Sequence, residues 1–539
     1  MTSPNKQQDI DYISEIFVKN YQQLPSIIED SMDWAHCNGL IFRTKEHKDR
    51  SDICQIAPFS LFPSPFPRRL FDQALSVQKA LNLLYFKVSW DYDFLKQAHQ
   101  QVIKSDEFTR RLMSILDIVY KEGIKQPITL LTQRADYMCH YDGILTENEI
   151  NFDKFQLKQI EVNNIAVSMG GLAEKTTKLH RRVFKKMGMN VPNNDVMPVN
   201  EPIKTLCEGI YNAWKLLSNP NAILLMVVEK NSQNQFDQRA IEYGLEELSE
   251  GKMIIIRLTF VECAERLILD EKTFNLLLGD KTVGIVYFRT GYLPEDYVSE
   301  RAWNARLLME RSTAIKCPWI GLQMANTKKI QQVLSCSGIL EKYLTSENEL
   351  RNVRSTFASL WGLEREDDET REIIKDAIQN PQKYVLKPQL EGGGGNYFDK
   401  EITEKLQSFT FEMRASHILM QRIRPLIVKN CLIRPFDDDN SKKLQNVVSE
   451  LGIYGSLIGI GGKEEEVKLN SVGGHILRTK LENVNEGGIA VGASVVCEYP
   501  EDHHCRPLPM AVDTSDHLSY FGIKSDDYLR AGCPRDMLL

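Results

Sequence analysis

The sequence has no apolar run long enough to cross a membrane. Its longest purely apolar stretch covers only residues 222–228, whereas a membrane-spanning helix needs roughly 18 or more such residues. The first residues are polar and lack the apolar segment of about 7 to 15 residues that a secretory signal requires. We therefore expect a cytoplasmic protein with no membrane partner.

Paired cysteines and an excess of positive charge are also absent. The 11 cysteines are scattered and include no Cys-x-x-Cys pair, which favours reduced thiols over disulfides or a zinc site. His503, His504 and Cys505 are adjacent in the chain, so they cannot all coordinate one tetrahedral ion. The net charge of −7 over 539 residues argues against a basic nucleic-acid surface, and we expect no nucleic-acid partner.

The remaining composition is that of a globular protein. Hydrophobic residues make up 42% and charged residues 26% of the chain, which excludes disordered and low-complexity classes. Helical spacing dominates the first 130 residues, most clearly at 13–24 and 70–91. Beyond them, short apolar runs alternate with helical stretches, which predicts an α/β fold. The main predicted strands are 128–132, 156–162, 223–228, 253–258, 283–288, 384–387, 416–423 and 445–454.

The sharpest local motif is a strand that ends in lysine and leads into four consecutive glycines, at residues 385–396. Backbone N–H groups of such a loop form an anion-binding concavity, and Lys387 can neutralise phosphate charge. Glu391 at the loop mouth is a natural Mg²⁺ ligand. The spacing matches neither a P-loop nor a dinucleotide fingerprint, and a flexible hairpin tip remains the alternative.

A second motif is the predicted strand that contains Glu161 and Asn163. Side chains two residues apart in a strand point to the same face, so these two oxygen ligands also suit Mg²⁺. The following residues, 164–171, form a loop of small side chains against which a substrate can lie. The alternative is that Glu161 and Asn163 simply belong to a solvated face.

Three arginines, Arg134, Arg289 and Arg478, sit just after apolar strands, and Lys480 follows the last of them. Arginine binds carboxylates in a bidentate manner, although each arginine taken singly is more often a surface cation. Together with the glycine loop and the oxygen ligands, they predict a site for an anionic substrate, ATP and magnesium.

At this point the residues resemble a known family, eukaryotic glutathione synthetase, from about Tyr12 to Pro500. The resemblance is much more specific than any single motif. The segments that carry it are 57–64, 134–138, 159–163, 236–242, 305–308, 327–329, 385–389, the glycine loop, 449–453 and 477–480.

The resemblance implies an ATP-grasp fold with permuted domain order and ATP-dependent ligation of γ-glutamylcysteine to glycine with two Mg²⁺. A homodimer is thus expected from the resemblance alone. Four units are implied: a helical N-terminal scaffold with part of the ATP-grasp body (1–220), a substrate-binding α/β domain (221–326), the ATP-binding body with its glycine-rich lid (327–500) and a C-terminal tail (501–539).

The resemblance also assigns the nucleotide and metal residues. Glu161, Asn163 and Glu391 would bind magnesium. The residues that would contact ATP are Glu161, Lys328, Lys387, Gln389, Glu391, Gly392, Gly393, Gly394, Asn396, Phe398, Met420, Gln421, Arg422, Ile423, Glu450, Lys480 and Glu486.

The peptide and the incoming amino acid would be bound elsewhere in the same site. The implied substrate contacts are Arg134, Ile165, Ala166, Val167, Ser168, Asn234, Gln238, Arg289, Thr290, Gly291, Tyr292, Arg478, Ile489 and Ala490. The residues implied to act directly in catalysis are Arg134, Ser168, Lys387, Gly392, Gly393, Arg478 and Glu486.

The chain departs from the family pattern at several of these positions. Leu390 stands where the glycine loop usually has arginine, and Thr290 stands where aspartate usually follows the substrate arginine. Smaller departures are Ala166 for a hydroxyl residue, Gln421-Arg422 for Glu-Lys, Glu486 for Asp, Gly395 for Asn, and a nucleotide-side tyrosine that is displaced to Tyr397 or replaced by Phe398. Besides a working synthetase, a diverged paralogue with weakened, redirected or lost ligation and an ATP-binding regulatory protein therefore stay open.

Overall fold

The computed structural model describes residues 12–142, 152–389, 394–436, 443–486, 489–492 and 494–497. The helices are α1 (Tyr12–Lys19), α2 (Leu24–Cys37), α3 (Arg68–Trp90), α4 (Tyr92–His99), α5 (Glu107–Glu122), α6 (Gly170–Lys186), α7 (Pro202–Lys215), α8 (Gln235–Leu248), α9 (Phe260–Arg266), α10 (Glu300–Arg311), α11 (Ile320–Ala325), α12 (Lys328–Leu334), α13 (Glu347–Thr356), α14 (Asp368–Gln379), α15 (Lys400–Ser408) and α16 (Phe411–Ala415).

The strands alternate with these helices and confirm the predicted mixture of α and β structure. They are β1 (Ile41–Arg43), β2 (Cys54–Ile56), β3 (Phe59–Ser60), β4 (Ser64–Pro67), β5 (Ile128–Tyr141), β6 (Phe155–Asn163), β7 (Ile223–Val227), β8 (Ile255–Leu258), β9 (Leu267–Leu269), β10 (Leu276–Leu278), β11 (Lys281–Phe288), β12 (Ile315–Cys317), β13 (Leu360–Gly362), β14 (Tyr384–Pro388), β15 (His417–Gln421), β16 (Ile427–Asn430), β17 (Leu432–Ile433), β18 (Gln445–Ile460), β19 (Glu466–Leu481), β20 (Ala490–Gly492) and β21 (Ser494–Cys497).

The largest sheet has the strand order β17-β3-β20-β19-β18-β5-β6, with β16 also paired to β18. Its long central strands β19, β18, β5 and β6 are antiparallel to their neighbours. Neighbouring residues of β18 contact different helices: Gly455 lies against Asn82 of α3, and Ser456 lies against Gly209 of α7. Because successive residues of a strand face opposite sides, α3 and α7 cover the two faces of this sheet.

A second sheet has the order β8-β7-β11-β10-β9, with β12 paired to β11. Strands β7, β8, β11 and β12 run parallel, as expected where helices connect successive strands. All five residues of β7 are buried. This sheet confirms the α/β pattern predicted for the segment that begins near residue 221, and Arg289 directly follows β11.

A small third sheet, β13-β15-β14, carries the strand that leads into the glycine loop. Helices α14 and α15 pack on one face around Leu386 and Leu419. The other face presents Leu360, Ile418 and Met420 as a separate apolar cluster. Each face of the sheet therefore carries its own apolar cluster.

Two sequence-based expectations are wrong. Arg134 and Arg478 do not follow strand ends, because β5 continues to Tyr141 and β19 continues to Leu481. Both strands are hydrogen-bonded to neighbours beyond these arginines, and the carboxylates described below neutralise the buried charges. The first 130 residues are also not purely helical, since they contain β1 to β4.

The cysteine prediction is confirmed for the side chains that the structure describes. Cys37, Cys54, Cys139, Cys207, Cys263, Cys317, Cys336 and Cys431 are free thiols. No helix within the described ranges is long and apolar enough to span a membrane. His503, His504, Cys505 and the rest of the predicted tail lie outside the described residues.

Candidate active site

An ionic cluster lies in the middle of the largest sheet, where four adjacent strands contribute charged side chains. Asp136 of β5 is the register partner of Glu161 in β6 and of Gly452 in β18. Glu450 of β18 is the partner of Arg478 in β19. Cross-strand partners have closely spaced side chains, so the strand pairing itself assembles the cluster.

Asp136 joins two arginines. Arg134 donates from Nε to Oδ1 at 2.7 Å and from Nη2 to Oδ2 at 2.8 Å. Arg478 donates from Nη2 to Oδ2 at 2.8 Å, and it also reaches Glu161 at 3.4 Å and Glu450. The Asp136 side chain is fully buried. Because an unpaired buried charge is strongly destabilising, each of these groups depends on the others.

Gly452 makes room for this arrangement. A Cβ atom at position 452 would lie 2.6 Å from Oδ1 of Asp136 and 2.8 Å from Cδ of Arg134. Both distances are shorter than side chains tolerate, so any larger residue would displace the pair.

The two glutamates of the cluster titrate in opposite directions. Burial acts to raise the pKa of Glu161, but the positive charges of Arg478, Lys328 and Lys387 outweigh it and lower that pKa to about 2. Burial raises the pKa of Glu450, against the opposing charge of Arg478 and with the repulsion of Asp136. Glu161 therefore remains a carboxylate at neutral pH and can bind a cation.

The acidic side chains fit a divalent cation. One oxygen from each of Asp136, Glu161 and Glu450 lies within 4.8 Å of the others. Asn163, a predicted ligand, donates its amide to Asp136 at 2.9 Å and to Glu161 at 3.4 Å, so it shares their face as strand alternation predicts. Carboxylate and amide oxygens are the donors that Mg²⁺ prefers. Glu391, the third predicted ligand, lies outside the described residues, as do Leu390, Gly392 and Gly393.

Lysines lie beside the acidic cluster on the side of the glycine loop. Lys387 donates from Nζ to the carbonyl of Ile160 at 3.1 Å, and both Lys387 and Lys328 are close enough to Glu161 to lower its pKa. Burial lowers the pKa of Lys480, while Glu450 and Glu486 act in the opposite direction. These cations can neutralise a polyphosphate that lies next to the acidic cluster.

The residues that follow the glycine loop contact two other segments of the chain. Gly394 and Gly395 have φ values of +94° and +76°, which favour glycine. Asn396 donates to Glu486, and Arg422 contacts Asp399. These contacts connect the segment after the loop to residue 486 and to the end of β15.

A small apolar cluster lies next to Lys387, whose cross-strand partner is Ile418. Leu360, Ile418 and Met420 form it together with the half-buried Ile160 and Ile423. Its half-buried members, Ile160 and Ile423, lie at the edge of this cluster.

Several predicted nucleotide residues are already engaged within the protein. Gln421 contacts His140 at 3.2 Å, and Gln389 accepts a hydrogen bond from the backbone N–H of Lys329 at 3.0 Å. Phe398 lies beside Arg422, whose guanidinium is 5.8 Å from the ring centroid. Gln389 connects the end of β14 to the first turn of α12, and Lys387 and Lys328 of these two elements both lower the pKa of Glu161.

The substrate loop before α6 is held by its backbone. The carbonyl of Ser168 accepts hydrogen bonds from Nη1 of Arg134 at 3.1 Å and from the Tyr454 hydroxyl at 2.8 Å. Ile165 and Val167 are buried, and Ala166 has a φ of +51°. The predicted substrate loop is thereby connected directly to the ionic cluster through Arg134.

Arg289 lies at the other end of this loop. Its Nη2 donates to Oδ2 of Asp237 at 3.1 Å, and Asp237 also accepts from the backbone N–H groups of Met169 at 2.9 Å and Gly171 at 3.0 Å. Among the described residues, Nε and Nη1 of Arg289 have no hydrogen-bond acceptor although they are buried. A buried arginine with unused donors is suited to bind a carboxylate.

The structure also describes the other predicted substrate residues. The buried Oδ1 atom of Asn234 has no donor within the described ranges, whereas Gln238 contacts Ser232 at 3.2 Å and Arg257. Tyr292 lies near Arg289, and burial together with Glu229 and Asp296 raises its pKa to about 12. Of the other predicted substrate residues, three are buried and one is half-buried. The buried residues are Thr290, Gly291 and Ala490, and the half-buried residue is Ile489.

Sequence reasoning missed Asp136 and Asp237, although both lie in segments that carry the family resemblance. A strand prediction that continued through residue 136 would place Arg134 and Asp136 on one face and could have found the first. Asp237 has no comparable local signal, because its role depends on backbone groups from α6.

The sequence matches a family model described as "Eukaryotic glutathione synthase, ATP binding domain" over residues 21–499. The chain belongs to the eukaryotic glutathione synthase family. Members of this family are ATP-dependent ligases of glutathione biosynthesis. Within the described residues, the matched region contains the ionic cluster, the lysines and Arg289.

Curated relatives match over most of their length. Glutathione synthetase of Mus musculus is 39% identical over 483 residues, which cover 89% of this chain and 97% of the mouse protein. The chloroplastic glutathione synthetase of Arabidopsis thaliana is 33% identical over 496 residues, which cover 90% of this chain and 86% of the plant protein. A solved structure of a glutathione synthetase-like effector (GSS30) from Globodera pallida has a TM-score of 0.70 and 29% identity, and the match covers 88% of this chain and 97% of that one.

Proposed function

We propose that this glutathione synthase family member ligates γ-glutamylcysteine to glycine at the described site, with ATP and two Mg²⁺. The observation that carries the proposal is the connection of three buried arginines to one ionic network, beside a cluster of three acidic side chains. The loop before α6 links Arg134 to Arg289, and Arg478 shares Asp136 with Arg134. The proposal includes an ATP-grasp fold with permuted domain order, the four units at 1–220, 221–326, 327–500 and 501–539, and a homodimer.

The reaction would proceed through an acyl phosphate. The cysteinyl carboxylate attacks the γ-phosphorus of ATP and releases ADP, and the glycine amine then attacks the acyl carbon and releases phosphate. Arg134 and Arg478 would orient the carboxylate, since Asp136 fixes both guanidinium groups. Lys387 and Lys480 would neutralise charge on the transferring phosphoryl group. Removing one such preorganised donor typically costs about 3 kcal/mol of transition-state stabilisation.

When bound, magnesium would supply positive charge that neutralises the phosphates of ATP. Glu161 and Asn163, with Asp136 and Glu450 nearby, would hold the ions from the protein side, together with Glu391. Arg478 donates to all three clustered carboxylates, so it limits their repulsion before a cation binds. The glycine loop would exclude water from the acyl phosphate.

The test is ADP release with γ-glutamylcysteine, MgATP and glycine, measured with each substrate omitted in turn. Arg289→Met should raise KM for γ-glutamylcysteine at least tenfold and leave KM for ATP unchanged, while Arg289→Lys should recover part of the loss. Arg266→Met, at an exposed position, is the matched control. If ADP release is independent of both the peptide and glycine, the ligase proposal is wrong.

A diverged paralogue with weakened, redirected or lost ligation is the second candidate. Thr290 and Leu390 at family positions for aspartate and arginine favour it, as does the likeness to the effector from Globodera pallida. An ATP-binding regulatory protein would show MgATP-dependent thermal stabilisation that Glu391→Ala abolishes, with no ligation in either form. A tenfold loss of ligation in that variant would exclude a binding-only role.

A further inference from the structure

A single carboxylate oxygen outside the ionic cluster holds the turn that carries Tyr292. Oδ2 of Asp296 accepts hydrogen bonds from three consecutive backbone N–H groups, those of Gly291 at 2.8 Å, Tyr292 at 3.0 Å and Leu293 at 3.0 Å. Hydrogen bonds to an ionised acceptor are roughly twice as strong as those between neutral groups. The backbone on both sides of Tyr292 is therefore fixed by a side chain four residues further along the chain.

The turn has no carboxylate of its own. Residues 289–293 include no acidic side chain, and Thr290 stands where the family pattern has aspartate. A short 3₁₀ turn, Pro294–Asp296, follows directly, and the backbone N–H of Asp296 donates to the carbonyl of Leu293 at 3.1 Å. This reversal of the chain brings the Asp296 side chain back to the N–H groups, so Asp296 supplies the negative acceptor that position 290 lacks.

The carbonyl side of the same turn is bound to the protein core. The carbonyl of Gly291 accepts hydrogen bonds from Nε2 of Gln323 at 2.8 Å and from the Tyr297 hydroxyl at 3.3 Å. Nη1 of Arg306 donates to that hydroxyl at 3.3 Å, and Arg306 forms a fully buried ion pair with Glu310 at 2.9 Å. Because the core fixes the carbonyl side, the conformation of the turn depends on the acceptor at its amide side.

The turn carries side chains that are expected to bind the peptide. Arg289 directly precedes it, and its buried Nε and Nη1 atoms have no acceptor among the described residues. Tyr292 is close enough to Arg289 for the two groups to interact electrostatically. Burial, together with the charges of Glu229 and Asp296, raises the pKa of Tyr292 to about 12, so its hydroxyl is a hydrogen-bond donor at neutral pH. The backbone held by Asp296 sets the position of this donor relative to Arg289.

We propose that Asp296 is a positioning residue for the peptide substrate, which holds the turn at 291–293 in the conformation that places Tyr292 beside Arg289. The inference rests on the proposed function, because it takes Arg289 and Tyr292 as contacts of γ-glutamylcysteine. Asp296 acts through backbone N–H groups of this turn alone. Its loss should therefore change the affinity for the peptide, and it should leave the affinity for ATP and the chemical step as they are.

The experiment compares Asp296→Ala and Asp296→Asn with the wild type in the full-length protein. Asp296→Ala should raise KM for γ-glutamylcysteine at least about tenfold, as expected for the loss of a hydrogen bond to a charged acceptor, with kcat and KM for ATP unchanged. Asp296→Asn keeps an oxygen acceptor of the same shape without the charge, so it should raise that KM by a smaller factor. Glu295→Ala removes the same charge from the exposed neighbouring residue and should behave like the wild type.

Calorimetric titration with γ-glutamylcysteine separates this inference from the ligase proposal. Wild-type protein that binds the peptide but releases no ADP contradicts ligation, and weaker peptide binding by Asp296→Ala would still support the positioning role. Peptide affinity in Asp296→Ala equal to that in Glu295→Ala overturns the inference, even if the melting temperature falls. An equal rise in KM for ATP also overturns it, as does wild-type protein that binds no peptide. Asp296→Asn carries the test if Asp296→Ala does not fold.

Discussion

At the scale of single residues, Asp136 is the group on which the site depends most. It accepts from Arg134 and Arg478 and has no solvent exposure. Sequence patterns located both arginines and Glu161, because their types and neighbours are distinctive. They did not locate Asp136, because the predicted strand ends at residue 132, before the alternation that places Asp136 on the same face as Arg134.

Asp136→Asn should lower kcat about 10²-fold and reduce the free energy of unfolding by about 3 kcal/mol, because the two buried arginines lose their shared counter-ion. ADP-release kinetics and urea unfolding measure the two effects. Asp93→Asn, at an exposed position of α4, is the control. Unchanged kcat in Asp136→Asn would contradict the role assigned to the cluster.

Leu390→Arg tests the departure from the family pattern in the glycine loop. Because the substitution restores the cation of the family pattern at this position, we expect a higher turnover number in the ADP-release assay. Leu390→Met, which adds no charge, should leave turnover unchanged. A decrease or no change in Leu390→Arg would show that the missing cation does not limit the rate.

At the scale of structural elements, strand pairing decides where the charged groups meet. Strands β5 and β19 were predicted to stop before Arg134 and Arg478, because charged residues usually end buried strands. In the structure each strand continues, because Asp136 of β5 neutralises both arginines. Glu161 of β6 and Glu450 of β18 also contact Arg478. Helix α3 and strand β6 were predicted closely, because their apolar spacing is regular. Cross-strand neutralisation is a tertiary effect that spacing does not reveal.

Gly452→Ala tests the close approach of β18 to the Arg134–Asp136 pair. A Cβ atom there would lie 2.6 Å from the carboxylate, so we expect a loss of about 1–3 kcal/mol of stability and a fall in kcat. In Gly123→Ala the added Cβ would contact no described atom within 4 Å, so the substitution only strains the backbone, which has a φ of +82° there. It should lower stability by about 1 kcal/mol with full activity, as measured by urea unfolding and ADP release. Equal activities of the two variants would contradict the account.

At the scale of the whole molecule, we expect buried histidines to make the free energy of unfolding depend on pH. Burial lowers the pKa of His99, His140, His180 and His475 to about 4 each. The unfolded chain binds these protons near pH 6.5, so the free energy of unfolding should fall as pH drops from about 6.5 to 4. The mixed α/β composition was predictable from the sequence, but the burial of these histidines was not.

His180→Gln should reduce that pH dependence by up to about 3 kcal/mol, because it removes one group whose pKa is about 2.5 units lower in the folded state. Urea unfolding at pH 4.5 and pH 7 measures the difference. His47→Gln, at an exposed position, should retain the wild-type dependence. The same slope in His180→Gln and wild type would show that His180 does not contribute.

The most direct test of the central claim uses γ-glutamylcysteine labelled with ¹⁸O in its cysteinyl carboxylate, together with MgATP and glycine. The account predicts a product with the mass of glutathione and the transfer of one ¹⁸O atom into the inorganic phosphate, because the carboxylate oxygen leaves with the phosphoryl group. Tripeptide without ¹⁸O in the phosphate would contradict the acyl phosphate. The absence of tripeptide from protein that still binds MgATP would contradict the synthase assignment and favour the diverged paralogue.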